Sequence, residues 1–348
     1  MENSLSKNTR IWQFEALRGF LCWWVVADHI RIFLPDTFPE VFIQAIWGGH
    51  AVNVFIILSG FVISLLLERE TNWISFIKGR FFRLWPAFVV CILIASILPK
   101  YLNSNNPPLV FLSNLTMLHG IIPESLLPGI SSSLLPPSWS ISLEWQFYLV
   151  APFLFIAIKS QKVWVILLLI ACMAISRLTN LEHAFIFPSF LPLKLHYFFI
   201  GILSYVSWNK LKKTNINISI WIILLTALLV AAFTKNISLT IWTFALGSTL
   251  PGHLNHFATK YESTRIVKAS CFLGKISYST YLIHWPLLIL FYSPFIQKEI
   301  RIFTNPYLTI AQYLIIVFLP IISASFIIYN WIEKPFNRYG KRRITRHD

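Results

Sequence analysis

Long apolar runs recur along the whole chain and constrain its fold more than any other feature. Of its 348 residues, 56% are hydrophobic and 12% are charged, whereas a soluble globular protein carries roughly 25% charged residues. This composition excludes a soluble cytosolic enzyme, a disordered chain and a disulfide-rich secreted domain. Because the runs are unbroken instead of short and alternating, they favour membrane helices over a β-barrel. The sequence therefore predicts an all-α, polytopic transmembrane helical bundle.

The apolar runs predict about ten spans. They lie near residues 16–34, 47–67, 84–99, 140–158, 163–177, 190–208, 216–234, 237–251, 272–293 and 308–332. Another apolar stretch, 109–122, is interrupted by Asn114, His119 and Gly120, which favours a re-entrant or interfacial segment. We expect residues 1–348 to form a single integral-membrane domain with no additional soluble domain.

The net charge of +15 is read first as an orientation signal. When the N-terminus is placed in the cytoplasm, the cytoplasmic segments hold 20 Lys and Arg residues and the outer segments hold 7. This asymmetry follows the positive-inside rule and predicts an even number of spans with both termini cytoplasmic. We therefore expect the lipid bilayer, and not a nucleic acid, to be the partner that explains most of the charge.

Arg18 and His29 are ionisable residues inside the first predicted span. A charged residue in a span costs about 3 kcal/mol on insertion scales, so each is a candidate site residue. Arg18 and His29 are 11 positions apart, which places them on one helix face about 16 Å apart along the axis. Either could be structural, as a snorkelling arginine or a packing histidine. Asp28 points about 100° away from His29 and could orient a neighbouring group or serve the outer interface.

Other ionisable residues lie in or beside later spans. Arg80 and Arg83 share a helix face, where they could clamp a phosphate or simply be cytoplasmic positive charge. Glu144 could accept a proton, bind sugar hydroxyls, hold a histidine or form an ion pair. His284 could line a cavity or pack. Glu333 is expected to pair with cytoplasmic arginines.

The four cysteines, Cys22, Cys91, Cys172 and Cys271, stand singly in apolar surroundings. The sequence contains no Cys-x-x-Cys pair and no cluster of His and Cys. We interpret the cysteines as small core residues and expect no metal cofactor.

Six ordered segments together resemble the membrane-bound acyltransferase 3 family. They are Arg18 to His29; Gly48-Gly49 to Ser59-Gly60-Phe61; Arg80 to Arg83 with Leu84-Trp85-Pro86; Trp139-Ser140 to Glu144 and Phe147-Tyr148; Ser277-Tyr278 to Tyr281 and His284-Trp285-Pro286; and Glu333-Lys334-Pro335. The resemblance covers about residues 12–340. In the second span, the segment reads Val54-Phe55-Ile56-Ile57 where relatives often have two adjacent phenylalanines, a mild departure.

The resemblance implies an O-acyltransferase of a bacterial inner (plasma) membrane. Such an enzyme takes an acyl group, here expected to be acetyl, from cytoplasmic acyl-CoA to a hydroxyl of a lipid-linked or surface glycan such as lipopolysaccharide O-antigen or exopolysaccharide. The expected catalytic residues are His29, as general base, with Glu144 and Arg18. The expected substrate-binding residues are Arg80, Arg83, Ser59, Trp139, Tyr281 and His284. The alternative is a transporter or flippase of a glycan or acyl carrier without chemistry.

Overall fold

The computed structural model describes residues 11–33, 47–70, 72–98, 108–132, 134–160, 163–212, 219–250, 260, 262–291 and 306–344. All longer regular elements in these ranges are helices. The helices are α1 (Trp12–Phe33), α2 (Gly48–Leu67), α3 (Trp73–Ser96), α4 (Pro108–Leu115), α5 (Trp139–Lys159), α6 (Val163–Leu178), α7 (Leu191–Leu211), α8 (Ile220–Thr234), α9 (Ile237–Gly247), α10 (Arg265–Phe291), α11 (Pro306–Ile328) and α12 (Lys334–Ile344).

The all-α prediction is confirmed for the described residues. Each of the ten predicted runs overlaps one helix, and the two remaining helices, α4 and α12, correspond to no predicted run. Among the described residues, four stretches are both long and apolar enough to cross a membrane. These are Gly48–Leu67, Trp73–Ser96, Pro136–Lys159 and Ile315–Lys341. Helix length and apolar composition therefore support a membrane protein. The count of ten spans and the cytoplasmic location of the termini stay predictions.

Helix α3 begins well before the apolar run that predicted it. Its N-cap is Asn72, whose side chain accepts a hydrogen bond from the Ser75 amide at 3.1 Å, and this contact satisfies one of the unpaired amides of the first turn. Because the helix extends back to residue 73, Arg80 and Arg83 lie two turns or more inside it. Their side chains are therefore held by a packed helix and not by a loop.

Close helix crossings tie α1 to α10 and α2 to α7. A Cβ added to Gly60 would meet the backbone carbonyl of Phe198, and one added to Gly201 would meet the carbonyl of Ile57. A Cβ on Gly274 would likewise meet the backbone of Glu15 in α1. Small residues let helix backbones approach closely in membranes, where association depends on packing. These two crossings fix α1, α2, α7 and α10 as the frame around the site.

The residues that interrupt the apolar stretch 109–122 are buried and bonded within the protein. The Asn114 amide donates to the carbonyls of Val110 and Ile130, at 2.9 and 3.2 Å. Ser138 hydrogen-bonds to His119 at 3.1 Å, and the Gly120 amide donates to the Ser142 hydroxyl at 2.9 Å. These bonds anchor the segment between α3 and α5 on the start of α5.

Side-chain contacts join helix ends that the charge count places on the same side of the membrane. Lys159 at the end of α5 pairs with Glu68 at the end of α2, with an N–O distance of 2.8 Å. Near the opposite ends, Lys194 donates to Asn53 at 2.9 Å. Helices α2, α5 and α7 thus run in mutually consistent directions.

The last helical stretch is not a uniform α-helix. Residues Tyr329–Glu333 form one turn of π-helix between α11 and α12, and such turns often occur at functional sites. Glu333 is buried there, and its carboxylate accepts a hydrogen bond from Ser279 at 2.7 Å. Helix α12 then packs against α3, with Gly340 close to Phe82. This packing brings Lys341 towards Arg80 and Arg83.

Candidate active site

A cavity of about 270 Å³ lies between α1, α2, α3, α5, α7, α10 and α12. One stripe of α2 forms much of its wall, with the spacing of a single helix face. The stripe consists of Val52, Phe55, Ile56, Ser59, Val62, Ile63 and Leu66. From Val52 to Leu66 is 14 positions, which corresponds to about 21 Å of helix. The cavity is therefore long, narrow and mostly apolar on this side.

Four cations gather at one end of the cavity. Arg18 from α1, Arg80 and Arg83 from α3, and Lys341 from α12 all line it, whereas Glu144 is the one carboxylate in its described lining. Two described ion pairs lie elsewhere, between Arg31 and Asp28 and between Lys159 and Glu68. Like charges held close together repel unless an anion lies among them. This end therefore has the charge pattern of a polyanion site.

Glu144 lies between the cationic end and the opposite end of the cavity. Its carboxylate accepts hydrogen bonds from the Ser59 hydroxyl at 3.1 Å and from the Tyr148 hydroxyl. Arg80 lies against the same Tyr148 hydroxyl. Ser59 and Glu144 were both predicted site residues, and the structure brings them into contact. In the described chain Glu144 is held by these hydroxyls and not by a histidine.

Tyr281 lines the cavity from α10, one helical turn before His284. Its hydroxyl bonds to Ser140 at 2.7 Å and donates to the Pro137 carbonyl at 3.0 Å. The ring centroid of Tyr281 is 5.8 Å from that of His284. The predicted residue Tyr281 thus stands between the cavity and the histidines of α1 and α10.

His29 and His284 contact each other directly. Nδ1 of His29 is 2.7 Å from Nε2 of His284, and the two ring planes differ by 5°. Nδ1 of His284 lies 3.2 Å from the Thr280 carbonyl, so both ring nitrogens of His284 have protein partners. Neither histidine belongs to the described cavity lining. The distance of 255 residues between them gave no local sequence signal for this pair.

Most of the predicted site residues line the cavity, and a few do not. Arg18, Arg80, Arg83, Ser59, Glu144 and Tyr281 all line one cavity. Trp139 does not belong to its described lining, and its ring stacks on Phe187 with centroids 6.1 Å apart. Sequence reasoning missed Lys341, because it is one of six basic residues of the C-terminal tail that all count as cytoplasmic charge. These residues are Lys334, Arg338, Lys341, Arg342, Arg343 and Arg346. Sequence reasoning also missed Tyr148, although the i, i+4 spacing from Glu144 predicts contact on a helix.

Two residues with open roles have structural partners. Asp28 binds the Arg31 guanidinium through contacts of 3.0 and 3.1 Å, and Gly48 packs closely against it. Glu333 lies close enough to Arg83 and Arg18 to interact with their charges, although its hydrogen bond is with Ser279. Glu333 therefore adds negative charge behind the cationic end.

No group of three or more His, Cys, Asp or Glu residues among the described residues could hold a metal ion. The cysteines carry no disulfide: Cys22 and Cys91 are buried, and Cys172 and Cys271 are partly buried. The groups available in the cavity are thus cations, hydroxyls and one carboxylate.

A family profile described as an acyltransferase domain matches residues 11–329. The chain belongs to the acyltransferase 3 family. The resemblance inferred from the six ordered segments is therefore confirmed. Because the family profile describes an acyltransferase domain, membership favours acyl-transfer chemistry over the transporter alternative.

Named relatives agree with this family. Acyltransferase MdmB of Streptomyces mycarofaciens is 32% identical over 112 residues, which cover 30% of this chain and 28% of MdmB. A Staphylococcus aureus (strain COL) protein provisionally named an O-acetyltransferase is 24% identical over 87% of this chain and 55% of its own length. An O-acetyl transferase of Shigella phage Sf6 is 25% identical over 68% and 74%.

This chain spans about half the length of the staphylococcal relatives it matches. No solved structure matches the chain.

Proposed function

We propose that this protein transfers an acetyl group from cytoplasmic acyl-CoA to a sugar hydroxyl of a bacterial surface glycan, such as lipopolysaccharide O-antigen or exopolysaccharide, at the inner membrane. The observation that carries the proposal is the cavity with four cations at one end and an apolar wall about 21 Å long. Acyl-CoA has the matching polarity, because its phosphates are at one end and its thioester is at the end of a long, weakly polar arm.

The cationic end is the proposed binding site for the nucleotide phosphates of acyl-CoA. Guanidinium groups bind phosphate oxygens through two parallel hydrogen bonds, and Arg80 and Arg83 project from successive turns of α3. Arg18 approaches from α1 and Lys341 from α12, so three separate helices would surround the anion. Acetyl is the proposed acyl group because two of the relatives are named as O-acetyl transferases. The glycan acceptor follows from the family resemblance.

The proposed reaction is a direct transfer. Nε2 of His29 takes the proton of the acceptor hydroxyl while the oxygen attacks the thioester carbonyl carbon. The carbon–oxygen bond forms, the carbon–sulfur bond breaks, and the proton on His29 passes to the leaving CoA sulfur. A general base of this kind contributes typically 10²–10⁴-fold in rate. A transient acyl-histidine is the alternative route to the same products.

Glu144 and its hydroxyl partners would lie beside the arm of the donor. Ser59 and Tyr148 both donate to Glu144, so protein groups hold this carboxylate in one orientation. Its position between the cations and Tyr281 suits a residue that guides the thioester towards the histidines. On this proposal Glu144 acts on the donor arm, and His29 acts on the acceptor.

The first experiment measures release of CoA. The purified protein in lipid nanodiscs is supplied with acetyl-CoA and with membranes from a strain that lacks its gene, which provide unmodified acceptor. We expect free CoA thiol and labelled acetyl in the glycan fraction only when acceptor membranes are present. Transport of acetyl-CoA or glycan without thiol release would contradict the proposal and support a transporter.

The second experiment identifies the product. Mass spectrometry of surface polysaccharide from the producing strain and from the deletion strain should differ by acetyl groups on sugar hydroxyls. If the two polysaccharides had the same mass and another molecule were acetylated, the protein would still be an acyltransferase. The proposal that a glycan is its acceptor would then be wrong.

A further inference from the structure

The hydrogen-bond chain through α1 and α10 has a direction that its backbone end fixes. A carbonyl oxygen only accepts, so the 3.2 Å contact between the Thr280 carbonyl and Nδ1 of His284 requires a proton on that nitrogen. In a neutral imidazole the other nitrogen is then bare. Nε2 of His284 therefore accepts, and its partner at 2.7 Å, Nδ1 of His29, donates.

The ring geometry fits such a bond. The two ring planes are nearly parallel, at 5°, while the centroids are 5.0 Å apart and the two nitrogens 2.7 Å apart. The centroid separation is longer than the nitrogen separation by about two ring radii, so the nitrogens point at each other along the line that joins the rings. Trp285 adds an edge-to-face contact to the His29 ring, at 5.1 Å and 82°. The His29 ring is thus held in one plane and one orientation.

The neutral state of His284 is favoured by its surroundings. Its side chain is fully buried, and its described polar partners are His29 and the backbone of Thr280 and Tyr281, with no carboxylate among them. An unpaired buried charge is costly. The nearest carboxylate on α1, Asp28, is already bound to Arg31. With His284 neutral, its Nδ1 donates to the Thr280 carbonyl and its Nε2 accepts from Nδ1 of His29.

We propose that His284 is a positioning residue that fixes His29 in the tautomer with Nδ1 protonated and Nε2 bare. This inference rests on the proposed function for its chemical meaning, because a bare Nε2 is what a general base needs. It also revises the expectation that His284 binds substrate, since both of its ring nitrogens are occupied by the protein. His284 then acts through His29 and not on the acceptor itself.

The first test compares two variants of His284 with the wild-type protein. Gln carries both an acceptor oxygen and a donor nitrogen, so His284→Gln can reproduce both bonds, whereas His284→Leu can reproduce neither. We expect His284→Leu to lower kcat by about 10²-fold or more, within the usual range for a general base, and to leave the KM for acetyl-CoA within about twofold. We expect His284→Gln to keep at least about a tenth of the wild-type kcat.

Equal losses in the two variants, or wild-type kcat in His284→Leu, would overturn the proposal. A loss in His284→Leu confined to the KM for acetyl-CoA would also overturn it, because positioning acts on the acceptor proton. The thermal unfolding midpoint and the yield of each variant are measured first, and His284→Gln serves as the folded reference if His284→Leu is unstable.

The second test does not depend on activity. Nitrogen-15 NMR of histidine-labelled wild-type protein distinguishes the two neutral tautomers, and spectra of His29→Ala and His284→Ala assign the signals. We expect His29 with a protonated Nδ1 and a bare Nε2. A proton on Nε2 of His29 would overturn the proposal even if the protein is active, and the expected tautomer would support it even if the proposed acceptor is wrong.

Discussion

At one end of the cavity four cations face a single lining carboxylate, while beyond the other end two imidazoles bond to each other and to a backbone carbonyl. The cationic end gathers four positive charges with the carboxylates of Glu144 and Glu333 nearby, and on the proposed function it binds an anion. The histidine end has its main bonds already made, so its geometry is set before any substrate arrives. On the proposed function, this difference separates two tasks that catalysis needs, which are binding energy and orientation.

The comparison predicts that the two ends affect different kinetic constants. Loss of a cation should weaken binding of the donor equally in the ground state and in the transition state. Such a loss raises KM and leaves kcat unchanged. Loss of a histidine should lower kcat and leave donor affinity. The variants of His29, Arg83, Arg80 and Lys341 test this separation, in order from the largest expected effect to the smallest.

The His29→Ala variant removes the proposed general base. We expect kcat for acetyl transfer to fall by about 10²–10⁴-fold, with an unchanged Kd for acetyl-CoA measured by calorimetry on protein in nanodiscs. Phe20, an exposed residue of the same helix, provides the control in Phe20→Ala, which should keep its activity. Full acetylation of surface glycan in a strain that carries His29→Ala would remove His29 from the mechanism.

The Arg83→Gln variant removes one proposed charge-assisted contact with the donor. Because such hydrogen bonds contribute about 1.5–3 kcal/mol, we expect the Kd for acetyl-CoA to rise about 10- to 150-fold, with kcat at saturating donor largely kept. Arg80→Gln should behave alike. Lys78→Gln, an exposed position on the same helix, is the matched control. Donor affinity at the wild-type level in both arginine variants would contradict the polyanion site.

A third buried histidine, His119, is predicted to affect folding of its own segment and not catalysis. It lies in the segment between α3 and α5, where burial lowers its pKa to about 4. Its Nδ1 has no described acceptor, so a proton there would gain no hydrogen bond. Because the unfolded segment binds the proton with a pKa near 6.5, folding of the segment should weaken by about 1.4 kcal/mol per pH unit as the pH falls from 6.5 to 4.

Hydrogen exchange of the peptide that contains residues 109–122, corrected for the intrinsic pH dependence, measures this effect. We expect protection above pH 6.5 and progressive loss below it, and a flat profile in His119→Gln. Equal protection at pH 7 and pH 4 in the wild-type protein would show that His119 is not the group that titrates.

The smallest effect is expected at Lys341, which is more exposed than the arginines. An exposed charge contributes up to about 1 kcal/mol, so Lys341→Gln should raise the Kd for acetyl-CoA by about fivefold at most, and less at high salt. Arg338→Gln on the same helix, whose side chain is exposed and absent from the described lining, controls for net charge. Equal effects in the two variants would indicate general attraction and not a site that includes α12.

Much of the site could be predicted because its signals are local. Arg18, Glu144 and Arg80 are charges inside or beside apolar runs, and such charges are costly enough to stand out in any single sequence. The spacing of Arg80 and Arg83 predicted a shared helix face, and α3 provides it. Lys341 was missed for the opposite reason: it belongs to a tail of six basic residues, where the orientation of the protein already accounts for positive charge.

The sequence by itself determined an all-helical membrane protein of the acyltransferase 3 family, because apolar run length, charge asymmetry and ordered motifs are properties of the chain read in order. Tertiary structure decided the rest. The pairing of His29 with His284, the contact of Ser59 with Glu144 and the arrival of Lys341 beside Arg83 each join helices that are distant in sequence. Such contacts depend on which helix faces pack together, and in this protein the glycines at the α1–α10 and α2–α7 crossings set that packing.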